Sequence, residues 1–160
     1  MNVANVTLRT VRICICVGGV LALVGCELGP GQEIRSKKPY ADVVGAQYSV
    51  TSDNLYAYGV YESLNNRTVS YVVLVPALAL GGPEYAFRKT VPKGEILKIL
   101  SAWQQSTLLG LVELRVYYLV ELEHSDLPQG VPVRLQLDRG NEGVGADLNP
   151  AFYKRIGKGN

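Results

Sequence analysis

From Val112 to Glu123 the chain alternates with a period of two. Val112, Leu114, Val116, Tyr118, Val120 and Leu122 form one set, and Glu113, Arg115, Tyr117, Leu119, Glu121 and Glu123 form the other. Successive side chains on a strand point to opposite faces, so the run predicts a strand with one core face and one largely wet face. Val131, Val133, Leu135 and Leu137 repeat the pattern against Pro132, Arg134, Gln136 and Asp138. Pro132 cannot donate to a ladder, which places it near a strand start or an edge. The intervening Ser125-Asp126-Leu127-Pro128-Gln129-Gly130 reads as a turn joining an antiparallel pair.

The same pattern predicts strands at 47–51, 55–62, 69–75, 84–90 and 95–103. Ser63 to Arg67 fits a hairpin loop, and Pro92-Lys93-Gly94 a tight turn. The run 69–75 is apolar on both faces, as expected of a central, covered strand. No window shows sustained helical periodicity. One short helix is possible at the C-terminus, with Asn149 as N-cap, Pro150 in the first turn, and Ala151 to Ile156 completing it. The expected fold is all-β: a single small antiparallel sandwich or barrel of about seven strands over residues 46–160.

The N-terminus has a different composition. Met1 to Arg12 carries Arg9 and Arg12 and no acid, and Ile13 to Val24 is wholly apolar or glycine. That stretch suits a secretory signal and is too short to span a bilayer as a helix, which takes about 20 apolar residues. It closes on Leu23-Val24-Gly25-Cys26. This resembles the lipobox of bacterial lipoproteins. The resemblance implies cleavage between Gly25 and Cys26, and acyl chains on the Cys26 thiol and on the freed amine. Each buried methylene contributes about 0.8 kcal/mol, so two or three chains would anchor the protein stably. The implied location is the bacterial envelope. Glu27, standing where an aspartate would favour inner-membrane retention, leans the reading toward the outer membrane, facing the periplasm. The alternatives are an uncleaved signal anchor, or an ordinary signal with a chance cysteine.

Removing 1–25 from the 160 residues leaves one domain's worth of chain, able to bury roughly two-thirds of its unfolded surface. It also takes two of the 16 basic residues and none of the 14 acids, so the remainder is formally neutral. No basic field points to nucleic acid. Cys14 and Cys16 leave with the signal and Cys26 is committed to lipid, so the domain has no disulfide and no cysteine nucleophile. Residues 26–45, rich in Gly and Pro, read as the lipidated cysteine and a flexible tether. In it Arg35, Lys37 and Lys38 form a small basic cluster, either a solvated face or a contact for anionic headgroups.

Chemistry-bearing residues are sparse. His124 is the single histidine, too few for an ordinary zinc site, and no cofactor or metal is expected. His124-Ser125-Asp126 are consecutive at a strand end, where side chains diverge. Glu121 and Glu123 share a face with Glu113 and Arg115; a solvated outer face is the favoured reading, over a calcium site or, with His124, an envelope hydrolase. The glycine run from Gly140 to Gly145 reads as a flexible turn, not a phosphate loop.

Tyrosine is the better lead, with all ten in the mature chain. Tyr56, Tyr58 and Val60 share one strand face, while Ala57, Gly59 and Tyr61 share the other, as if something packs closely over the small residues. Tyr56, Tyr58 and Tyr61 are the candidate binding surface, because tyrosine joins apolar area to a polar tip. Tyrosine is also ordinary in strands. The apolar run Pro76 to Pro83 is either a buried crossover or an exposed contact. The chain therefore reads as a non-catalytic, lipid-anchored module that binds an envelope protein or peptidoglycan. A small-ligand carrier with a hollow barrel is the alternative, and the hydrolase a lesser one.

Overall fold

A computed structural model describes residues 31–76, 80–105 and 115–158. The alternating segments form strands: β1 (Gln32–Glu33), β2 (Ala46–Val50), β3 (Leu55–Tyr61), β4 (Val69–Pro76), β5 (Tyr85–Thr90), β6 (Ile96–Gln105), β7 (Arg115–Leu122), β8 (Val133–Gln136) and β9 (Tyr153–Lys158). All belong to one sheet, in the order β5-β3-β4-β8-β7-β6-β2-β9, with β1 also paired to β6. The all-β expectation is met. The sheet has nine strands, and it is mixed: β4 and β8 run parallel, with Val73 opposite Arg134, while every other pair is antiparallel. Among the described residues it does not close, and β5 and β9 are its edges. Arg88 and Lys89 on one edge, and Lys154, Arg155 and Lys158 on the other, discourage pairing with a second chain.

Alternation sorts the side chains into two clusters. Val120 and Tyr118 of β7, Leu97, Ile99 and Ala102 of β6, Leu135 of β8, and Val72 and Leu74 of β4 enter the main core. Val73 and Val75, on the opposite face of β4, join Tyr58 in a second cluster. β4 is thus central and covered on both faces, as its unbroken apolar run requires. Pro132 immediately precedes β8, where its carbonyl accepts from the Val72 N–H (2.9 Å). The Phe87 ring lies against Gly59, where a Cβ would come within 2.4 Å of it. This is the close packing expected over the small residues of β3.

Gly140 to Asn149 is not a loose turn. Asn141, wholly buried, donates to the carbonyls of Leu74 (3.0 Å) and Gln136 (2.8 Å) and accepts from the Tyr153 hydroxyl (2.5 Å). Tyr118 donates to the Ala146 carbonyl, and Tyr48 to the Asp147 carboxylate. Ala146 and Leu148 are thereby drawn into the main core, so the loop plugs the interior. Burial pushes the Tyr48, Tyr118 and Tyr153 phenols well above the ordinary tyrosine value, and for Tyr48 the Asp147 carboxylate adds to the shift.

Two expectations are corrected. The flexible tether assigned to 26–45 is ordered from β1 onward. Glu33 pairs with Trp103, Ile34 donates to the Ala102 carbonyl, and Ile34 and Val43 are buried around a single 3₁₀ turn at Tyr40–Asp42. Two well-spaced apolar residues are enough to dock the segment. The short C-terminal helix does not form either. Asn149 does cap a turn, its Oδ1 accepting from the Ala151 N–H (3.0 Å), but from Tyr153 the chain joins β2 as a strand. The open edge of β2 and the buried Tyr153–Asn141 contact outweigh a weak one-turn helix signal. The signal peptide, Gly25, Cys26, the first part of the tether, Ala77 to Ala79, and the start of the Val112 strand lie outside the described residues.

Candidate functional site

A cleft of about 250 Å³ opens between the end of β5 and the β7–β8 turn. Its floor is apolar, from core-facing Ala57, Val91 and Leu122, and its rim is polar, from Lys89, Glu95, His124 and Asp126. Two turns deliver these residues. In the first, Glu95 N–H donates to the Pro92 carbonyl (3.1 Å) and Gly94 adopts a left-handed φ of +91°, setting Glu95 just ahead of β6. The Glu95 carbonyl then accepts from Val50 of β2 (2.8 Å), which fixes the backbone. In the second, Ser125 Oγ accepts from the Leu127 N–H (3.0 Å), folding Leu127 back onto the core.

Glu95 is the one buried acid here, 5% exposed. Its Oε1 accepts from the backbone N–H of His124 (2.8 Å), so it holds the turn and still lines the cleft. At the mouth, the Lys89 ammonium donates to both the carboxylate and the carbonyl of Asp126, each at 2.9 Å. That hydrogen bond, with the ammonium charge beside it, holds the Asp126 carboxyl below its ordinary value of 3.8. A group with a depressed folded value keeps its ion pair above that value and loses it only as the pH falls through it. In an NMR titration the Asp126 side-chain carbon will therefore turn over below pH 3.8, and Lys89→Met will return the midpoint to the ordinary value. An unchanged midpoint would show that the pair does not persist in solution. The group is fully exposed, so the effect is on the geometry of the rim and not on stability.

The predicted site residues are only partly brought together. His124 and Asp126 line the cleft, whereas Glu121 and Glu123 are exposed and line a separate groove with Gln47 and Lys98. No carboxylate–imidazole pair forms among the described residues: Glu95 meets the His124 backbone, and Asp126 is held by Lys89. No group of three metal-ligating side chains assembles among them either. Glu95 does not stand out in the sequence, where it is one more polar residue beginning an alternating run.

The tyrosine surface needs a correction. Tyr56 and Tyr58 do share a face, but Tyr58 is 2% exposed and packs edge-on against Tyr85, so it is core and not a contact. Tyr56 is half-buried beneath the Arg88 guanidinium, 5.6 Å from its ring centre. Tyr61 is half-buried at the far end of β3, past a bulge. Along the same face Arg134 lies between Tyr71 (4.0 Å) and Tyr117 (5.0 Å), so an internal cation already occupies those rings. The chain matches no model of a known protein family, no curated protein and no solved structure.

Proposed function

We propose that the protein is a bacterial envelope lipoprotein, cleaved between Gly25 and Cys26 and held by acyl chains on Cys26. Its β-domain binds a protein or cell-wall partner without catalysing a reaction. The observation that carries the binding reading is the cleft between β5 and the β7–β8 turn. Its volume of about 250 Å³ falls below the 300–1,000 Å³ typical of pockets that enclose a whole small ligand. A single side chain or short polar group of a larger partner fits that space better. Among the described residues the side chains of Tyr48, Leu55, Leu97, Tyr118 and Leu135 are buried in the core, which weighs against a hollow-barrel carrier. Against the hydrolase reading, Glu121 and Glu123 lie apart from the cleft that His124 lines.

The test is a photoreactive residue at Leu127, on the cleft wall, with a control at Val144, which is 91% exposed on the plugging loop. In intact cells the probe at 127 will form an adduct with one envelope protein or with peptidoglycan fragments, and the probe at 144 will not. Glu95→Gln in the same chain will weaken that adduct. Equal adducts from both positions, or none from 127, would refute the cleft as the binding site.

A further inference from the structure

We propose that the domain does not swing freely from its anchor but rests on anionic phospholipid headgroups through the face around Lys37, Lys38 and Lys158. The inference depends on Cys26 being the lipidated residue. Six residue steps separate Cys26 from Gln32, the start of β1, and at most about 3.5 Å per step gives a reach of about 20 Å. That is less than the roughly 35 Å breadth of a domain this size. The end of the molecule at β1 is therefore confined to the membrane surface.

That end is cationic. Lys37 and Lys38 are exposed on the turn after β1, and Lys37 accepts the Ala41 N–H through its carbonyl, so the lysines are carried on ordered backbone. Arg155 ties the strand β9 to the same turn by donating to the Asp42 carbonyl (2.8 Å). Lys158, at the end of β9, pairs with Ala46, close behind that turn. The acids in this region are Glu33, Asp42 and Asp147. Arg35 pairs with Glu33 (3.4 Å) and Arg155 lies near Asp147 (3.9 Å), which leaves only Asp42 to set against Lys37, Lys38 and Lys158, none of which has a carboxylate partner among the described residues. Free lysines on a short leash are attracted to an anionic leaflet, and salt screens the attraction.

Trp103 provides the readout. It is the single tryptophan of the chain, and it lies opposite Glu33 on β1, next to where the tether enters the domain. The full lipidated protein is placed in phosphatidylcholine vesicles, with or without phosphatidylglycerol, containing a headgroup nitroxide lipid. Nitroxide quenching of Trp103 will be roughly twofold stronger in the anionic vesicles. Lys37→Glu combined with Lys38→Glu, or high salt, will bring it back to the neutral-vesicle level. Equal quenching in both compositions, unaffected by the double variant, would overturn the proposal while leaving the anchor intact. The acyl mass on the Cys26 peptide is measured on the same samples. Its absence would overturn the anchor itself, and with it this inference.

Discussion

Asn141→Leu will lower the free energy of unfolding by about 3–5 kcal/mol, the sum of leaving two carbonyls and one hydroxyl buried without partners at about 1–3 kcal/mol each, with incomplete additivity. Leucine keeps the branched four-atom skeleton of asparagine, so the change removes the hydrogen bonds without opening a cavity. The asparagine amide satisfies Leu74 on β4 and Gln136 on β8, the two strands of the parallel pair, while its oxygen receives Tyr153 from β9. No water replaces these contacts at a site with no exposed surface. The total stability of a domain is about 5–15 kcal/mol, so the variant will sit near the edge of folding. Denaturant unfolding followed by circular dichroism measures the loss. A shift below about 1 kcal/mol would show that the loop is only loosely attached and does not plug the interior.

Asn141 also shows why parts of this fold are not legible in the sequence. An asparagine between glycines is the ordinary composition of a turn, and nothing local distinguishes a turn in water from one pinned inside a core. The strands β2 to β8 are legible because each carries its own period of two, down to the two-faced burial of β4. Strand order is not, because the parallel contact of β4 with β8 joins segments some 60 residues apart, and alternation says nothing about neighbours. β1 is too short to show a period. β9 is hidden because Asn149-Pro150 is a genuine capping signal, but a cap specifies a turn and leaves the path of the next residues to tertiary pairing. In the cleft, His124 and Asp126 stand out by scarcity and local charge. Glu95 does not, because its separation of 29 positions from His124 is bridged only by the fold. Tyr58 reads as a surface residue for the complementary reason: a strand with two apolar faces hides one of them only when a second cluster covers it.

Cys26→Ala will remove the acylated species entirely, and the chain will accumulate either as an uncleaved precursor or as protein released from the membrane. On the proposed anchor the effect is large, because the binding energy would reside in the lipid. A single chain gives marginal, reversible binding, and each further chain of about 16 carbons adds on the order of 10 kcal/mol. The residual apolar run from Ile13 to Val24 is too short to replace it as a spanning helix. Mass spectrometry of the N-terminal peptide and detergent phase partitioning read the two consequences separately. The same variant will leave the folded domain unchanged in thermal unfolding, since the first buried core residue among the described ones is Ile34, eight positions beyond the cysteine. Loss of acyl mass with an unaltered melting profile would separate anchor from fold. Unchanged processing and membrane retention would refute the lipobox reading, and a destabilised domain would mean that the segment between Cys26 and β1 contributes to the packing as well as to the leash.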